Sequence, residues 1–290
     1  MSSVVVAATQ MTCSWDRDEN IKKAEGLVRE AASKGARIIL IQELFETPYF
    51  CQQEKVEFFD LATPLEENPA VNHFKPIAKE LEVVLPIPFF EKENNNFFNT
   101  VAVIDADGEV MGKYRKTHIP DTPGYLEKYY FTPGDTGPRV WRTRYATIGI
   151  GICWDQYFPE LARAMTLMGA DIIFYPSAVG SVPTMPGFDQ HPRWETAMRG
   201  HAAANVVHVV ACNRVGTEVI DDSEITWMGS SFITDSEGDM LVEADRTSET
   251  VITAELDLEF TRQVRYAYGF FNHRRPDTYG SLLTYTGRTK

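Results

Sequence analysis

Residues 145–156, YATIGIGICWDQ, run from a short apolar stretch into a cysteine and then into a polar patch. Ile148, Ile150 and Ile152 alternate with smaller residues, the period-2 pattern of a buried strand, and that strand ends on Cys153. The continuation WDQYFPELARAM reads as a turn and then a helix, with Pro159 in its first turn and Glu160 beside it. In α/β sheets reactive groups gather at strand ends. Backbone N–H groups and the dipole of the following helix predict a lowered thiol pKa, and the Trp154 N–H is the expected oxyanion donor.

Two further apolar runs end the same way. RIILIQELF (37–45) delivers Glu43 and EVMGKYRKTHIP (109–120) delivers Lys116. A thiol needs a base to deprotonate it, and the oxyanion formed when it attacks a carbonyl needs a positive donor, so Glu43, Lys116 and Cys153 form one candidate catalytic set. Taken singly, each has a plainer reading: a buried structural thiol, and two solvated surface charges. Glu43 resists that reading, because a polar residue directly after Ile38–Ile41 must be paired or functional.

Outward from these runs, VVVAATQ, VVLPIPFF, ADIIFYPS, NVVHVVACNR and ETVITAELDL read as further strands, and TVAVIDADGEVMGKY and SSFITDSEGDMLVEA as hairpins. NIKKAEGLVREAASKG, PELARAMTLMG and RWETAMRGHAAAN read as helices, and NPAVNHFKPIAKELE as a helix interrupted at Pro76. Strands and helices alternate among hairpins, which argues for α/β with a mixed sheet; the pattern leaves open whether there is one sheet or two. No linker-like segment divides the chain, so residues 1–290 are expected to be a single domain.

Composition narrows the partners. With 28 basic and 41 acidic residues the net charge is −13, which argues against a nucleic-acid surface. No apolar run approaches the roughly 20 residues that span a bilayer. Cys13, Cys51, Cys153 and Cys212 form no CxxC pair, and the first residues read as a strand and not a signal peptide, so a reducing, cytoplasmic setting is expected. GxSxG, GxxxxGK[ST], HExxH and complete GxGxxG patterns are missing, so neither a metal nor another cofactor is expected. His118 and His201 read as structural partners, and Asp155 as a helix-cap acceptor.

The order Glu43, Lys116, Cys153, within QELF, YRKTHIP and GICWDQYFPE, closely resembles the nitrilase superfamily of carbon–nitrogen hydrolases. ATQMTCSWDRDENI, PYFCQ, LPIPFFE, GYLEKYYFTPGDTG, IIFYPSAVGS and RRPDTY extend the resemblance over roughly residues 4 to 280, and look like the branch that hydrolyses N-carbamoylputrescine. The resemblance implies a four-layer α-β-β-α sandwich that pairs into an eight-layer dimer, often assembling further. It implies a small-molecule substrate, with N-carbamoylputrescine yielding putrescine, ammonia and carbon dioxide in polyamine synthesis through a carbamoyl thioester on Cys153. It also implies that Glu127 orients Lys116, and that Tyr49, Ala178 and Val182 belong to the substrate pocket.

One position departs from the branch. Where its members read Gly-Ser-Glu-Pro, this chain has Gly180, Ser181, Val182 and Pro183, so the acid expected to meet the substrate's distal ammonium is missing. That leaves Asp189 or Glu195 as replacement anchors. The alternative is another ureido or amide substrate, such as a carbamoyl amino acid whose carboxylate pairs with Arg193 or Arg199. A non-enzymatic scaffold or thiol sensor is the remaining class.

Overall fold

A computed structural model describes residues 2–288. In chain order, β1 (Ser3–Gln10) leads through α1 (Arg17–Ser33) to β2 (Ile38–Leu40), and α2 (Pro69–Leu81) leads into a meander of β3 (Leu85–Glu93), β4 (Asn96–Ile104) and β5 (Val110–Arg115). The short α3 (Glu127–Tyr130) precedes β6 (Val140–Arg142) and β7 (Thr147–Ile150). Then come α4 (Pro159–Leu167), β8 (Ile172–Pro176), α5 (His191–Asn205) and β9 (His208–Cys212). The chain closes with β10 (Thr217–Ile220), β11 (Ser223–Thr226), β12 (Phe232–Thr234), β13 (Met240–Glu243), β14 (Thr250–Asp257) and α6 (Leu258–Tyr268).

The strands resolve the question of one sheet or two. One sheet runs β13-β12-β9-β8-β7-β6. The other joins β14-β1-β2 to β3-β4-β5 through a parallel bridge between Ile38 and Val84. Val4, Val6, Ala8, Ile38, Leu40, Val101 and Val103 share a core with Ile148, Ile150, Ile172, Phe174 and Val209 of the opposite sheet. Alternation along β1 and β2 sends Ala7, Ile39 and Ile41 to the other face, against Ile21, Ala24 and Val28 of α1 and Val71, Phe74 and Ile77 of α2. On the far side, Leu161 and Met165 of α4 and Trp194, Met198 and Ala202 of α5 cover the second sheet. The layers are therefore α-β-β-α, and the apolar periods of the strands are what place them.

Contrary to the expected interruption, α2 runs through Pro76. The residue is exposed, as is Asn72, whose carbonyl loses its partner to the proline ring, so water can replace the missing bond at little cost. Asn68 caps the helix by accepting from the Val71 N–H at 2.8 Å.

Candidate active site

Glu43 follows β2 and is fully buried. The loop that carries it is fastened by Arg214, which lies just past β9 and donates to the carbonyls of Glu43 (3.0 Å), Leu44 (2.5 Å) and Thr47 (3.0 Å). Glu218 pairs with Arg214 at 2.7 Å and accepts the Tyr49 N–H at 2.7 Å, so one buried ion pair holds both ends of the loop. Oε1 of Glu43 accepts from Asn99 Nδ2 at 2.7 Å and from Lys116 Nζ at 2.8 Å. Its Oε2 is buried and has no partner. A buried carboxylate oxygen with no donor is costly to keep, and it is the one free proton acceptor of the group.

Lys116 emerges from β5 with its backbone fixed on both sides: its N–H donates to Asn99 and its carbonyl accepts from Gly134, each at 2.8 Å. Nζ sits between Glu43 and Glu127, reaching the latter at 2.8 and 2.7 Å. Glu127 opens α3, is fully buried, and accepts the Tyr49 hydroxyl at 2.5 Å. Burial opposes the lysine's charge, but the two carboxylates outweigh it and hold the ammonium well above its ordinary 10.5. Burial pushes Glu127 up to about 7, Glu43 adding to the rise and Lys116 opposing it. One cation faces two carboxylates, so the cluster carries either an excess negative charge or a retained proton.

Cys153 opens a short 3-10 turn, Cys153–Tyr157, with the left-handed φ of +45°. Such a backbone costs a non-glycine residue of order 1–3 kcal/mol and persists only where its surroundings fix it. Asp155 supplies the fixing. Its buried carboxylate accepts from the Ile152 N–H (2.9 Å), the Tyr114 hydroxyl (2.7 Å) and the His118 N–H (3.0 Å), and meets His118 Nδ1 at 2.7 Å. Asp155 is thus a cap acceptor, as expected, but for the cysteine's own 3-10 turn through the Ile152 N–H and not for α4. α4 begins behind Phe158 with no side-chain cap, and Asp155 instead reaches backward to clamp the cysteine turn to the Lys116 arm. Gly151 lets the turn close, since a Cβ there would come within 2.8 Å of the Tyr175 ring. His201 is also structural, meeting the Gln156 carbonyl at 2.7 Å.

The expected lowering of the thiol pKa does not occur. Burial pushes Cys153 well above the ordinary 9.0, the charge of Glu43 adds to the rise, and Lys116 opposes it. Burial and the neighbouring carboxylates outweigh a helix terminus. The resting thiol is neutral, which makes the unpartnered oxygen of Glu43 the more important. Trp154 is the second residue of the 3-10 turn, where a helix leaves its N–H groups without internal acceptors.

A cavity of about 250 Å³ opens onto Cys153. Tyr125, Ala178, Val182, Met185 and Phe188 give it apolar walls, and Trp154, Gln156 and Tyr157 line it from the cysteine turn. The Ala178 carbonyl is 3.8 Å from the thiol sulfur. Tyr49, expected in the pocket, is not among the residues that line this cavity; its hydroxyl is held by Glu127. Among the described residues no carboxylate lines the cavity. Asp189 lines the neighbouring hollow and pairs with Arg246 at 2.8 Å, while Glu195 pairs with Arg199 at 2.9 Å, so neither is a free anchor. Arg199, spent on Glu195 and the Gly238 carbonyl, is likewise not a free carboxylate partner. Arg193 is exposed, lies 5.6 Å from the centre of the Tyr157 ring, and is not among the residues that line the cavity.

The geometry adds Asn99, Arg214 and Glu218 to the residues read from the sequence. Arg214 had a mark related to that of Glu43, being the second of two polar residues that end a buried strand. Asn99 interrupts the apolar run of β4 opposite Phe90. His191, Glu195 and Glu243 also converge, each offering an atom within 4.8 Å of the others, but His191 Nε2 already meets Glu243 at 2.7 Å and Glu195 is paired with Arg199 at 2.9 Å.

Residues 5–266 match the family model described as carbon-nitrogen hydrolase, and the chain belongs to that family. It is 51% identical to an N-carbamoylputrescine amidase of Oryza sativa subsp. japonica over 290 residues, covering 99% of this chain and 96% of the relative. It is 47% identical to a citrullinase of Francisella tularensis over 283 residues, covering 98% and 99%. A carbon-nitrogen hydrolase structure from Helicobacter pylori G27 superposes with a TM-score of 0.92 at 38% identity, over 98% of this chain and 99% of that one. The α-β-β-α layering is thus the nitrilase-superfamily fold, and the chain is a hydrolase of carbon–nitrogen bonds.

Proposed function

We propose that the chain hydrolyses the ureido group of N-carbamoylputrescine, with Cys153 as nucleophile. The observation that supports this most is the state of Glu43: one oxygen is anchored by Lys116 and Asn99 and the other is buried and free. Glu43 Oε2 takes the thiol proton as sulfur attacks the carbon of R–NH–CO–NH2. Lys116 and the Trp154 N–H hold the oxyanion, and Glu127 keeps Lys116 in place. Protonated Glu43 returns its proton to the departing ammonia, leaving R–NH–CO–S–Cys153. Water, deprotonated by Glu43, cleaves this thioester to a carbamic acid, Glu43 passing the proton to the departing Cys153 sulfur, and the carbamic acid breaks down to the amine and carbon dioxide. The methylene chain lies against Ala178, Val182 and Met185.

A second reading, a ureido amino acid as substrate, is favoured by the cavity's lack of a carboxylate and by the likeness to a citrullinase. Ammonia release from N-carbamoylputrescine, citrulline, N-carbamoyl-β-alanine and a simple amide tests both. The first reading predicts the highest kcat/KM on N-carbamoylputrescine; citrulline ahead of it would transfer the assignment to the second, and no turnover on any would return the chain to the non-enzymatic class.

We also propose that residues 1–290 act as one catalytic unit that works as a homo-oligomer built from dimers, in a reducing cytoplasm. All four cysteines are free. Beyond β14 the chain exposes Tyr266, Tyr268, Leu282 and Leu283, the last at 90%, a concentration of bare apolar surface that a second copy would cover. Light scattering should give a mass of two or more times 32.8 kDa; a monomer at micromolar concentration would reject the pairing. No helix among the described residues is long and apolar enough to cross a membrane.

A further inference from the structure

The segment from Gly180 to Gln190 walls one side of the cavity at Cys153 and is fastened at its two ends. Gly180 donates its N–H to the Tyr125 hydroxyl at 3.0 Å, and Ser181 donates its N–H to the Thr226 carbonyl at 2.8 Å. At the other end Gln190 Nε2 donates to the Gly180 carbonyl at 2.7 Å, and Asp189 pairs with Arg246 at 2.8 Å. Between these ends the hydrogen bonds among the described residues are internal to the segment, from the Met185 N–H to the Val182 carbonyl and from the Phe188 N–H to the Met185 carbonyl. Met185 and Phe188 line the cavity yet keep 51% and 42% of their surface open, and neither packs into any of the three cores. Phe188 stands at the border of the neighbouring hollow, which it lines as well. Large apolar side chains left bare at the rim of a cavity mark a surface that a ligand covers.

We propose that Met185 and Phe188 are specificity-determining residues that read the methylene chain of the substrate and not its terminal charge, so that the substrate range extends to uncharged N-alkylureas. Among the described residues that line the cavity none is an aspartate, glutamate, lysine, arginine or histidine. Asp121, between the lining residues Pro120 and Thr122, is exposed and is not part of the wall. A charge drawn into such a space loses its water without gaining a partner, whereas each methylene gains by leaving water. The alkyl chain therefore lies along Val182, Met185 and Phe188, and whatever ends the chain stays in water at the mouth, where Thr184 and Met185 are exposed. The ureido head meets Cys153 as before: one N-alkylurea and one water give the alkylamine, ammonia and carbon dioxide through the same thioester. Val182, in place of an acid, fits the same assignment.

The inference rests on the ureido hydrolysis proposed above, and binding to an inactive protein separates the two. N-pentylurea and N-carbamoylputrescine share a four-methylene chain and differ in ending on a methyl or an ammonium. The kcat/KM for N-pentylurea should lie within about fivefold of that for N-carbamoylputrescine, and along N-propyl-, N-butyl- and N-pentylurea it should rise about three- to fourfold per methylene. Calorimetry of the same three ureas on the Cys153→Ala protein should show the same step in affinity. Met185→Ser combined with Phe188→Ser should raise KM for N-pentylurea about tenfold at unchanged kcat and flatten the series, and the open position of both side chains lets the fold survive the change. N-pentylurea more than about fivefold below N-carbamoylputrescine, a flat series in the parent, or a series as steep in the double variant as in the parent overturns the proposal. A rising affinity series on Cys153→Ala with no turnover of any urea by the parent keeps the reading of the chain and rejects the proposed reaction. Turnover of N-carbamoylputrescine with a flat series does the reverse.

Discussion

Cys153→Ala is expected to lower kcat on N-carbamoylputrescine by roughly 10⁴–10⁶-fold, because a covalent route with its nucleophile removed has no thioester to form. Here burial and the charge of Glu43 keep the thiol protonated, so proton removal and attack have to be coupled, and water in the same cavity is a poor replacement. The fold should survive: one sulfur atom is lost from a site 6% exposed, and the clamp on the turn is made by Asp155, not by the thiol. Mass spectrometry of quenched protein should show a carbamoyl adduct on the parent chain and none on the variant. Turnover within tenfold of the parent would remove Cys153 from the mechanism.

The strands were legible because burial on two faces leaves little choice of residue: Ile148, Ile150 and Ile152 suit no surface, and the residue that ends such a run must be paired or reactive. The hairpin before Lys116 was legible through its DADG turn, where Gly108 takes φ +86°. What could not be read depends on contacts between segments far apart in the chain. The register that joins β2 to β3 is one bridge at Ile38 and Val84, and nothing local announces it. Asp155 looked like the cap of the helix that follows it, yet it caps the cysteine turn, and its partners Tyr114 and His118 come from the other arm. The thiol pKa was misjudged for the same reason. The helix terminus is local and visible, whereas the burial and the carboxylate that oppose it arrive only with the fold.

Lys116→Met should fail in two ways that a second substitution can separate. Loss of the ammonium removes an oxyanion donor, worth about 10²–10³-fold in kcat. It also leaves Glu43 and Glu127 facing each other in a site closed to solvent, and stripping one partner from a buried ion pair costs about 3–5 kcal/mol. Adding Glu127→Gln removes the surplus carboxylate, while Asn99 still holds Glu43, so the double variant should recover most of the stability and none of the rate. The pH dependence has a definite sign. Glu127 binds a proton more tightly in the folded chain, near 7 against its ordinary 4.5, so its contribution is fully present below 4.5 and is lost as pH rises through about 7. In Lys116→Met the charge that chiefly lowers this pKa is gone and only the Tyr49 hydroxyl still opposes the rise, so the stability deficit should widen from pH 5 to 8, and Glu127→Gln should flatten it. Urea midpoints at four pH values read this directly. A double variant as unstable as the single one would show that the carboxylate pair is not the source of the strain, and a double variant that regained its rate would take Lys116 out of the oxyanion site.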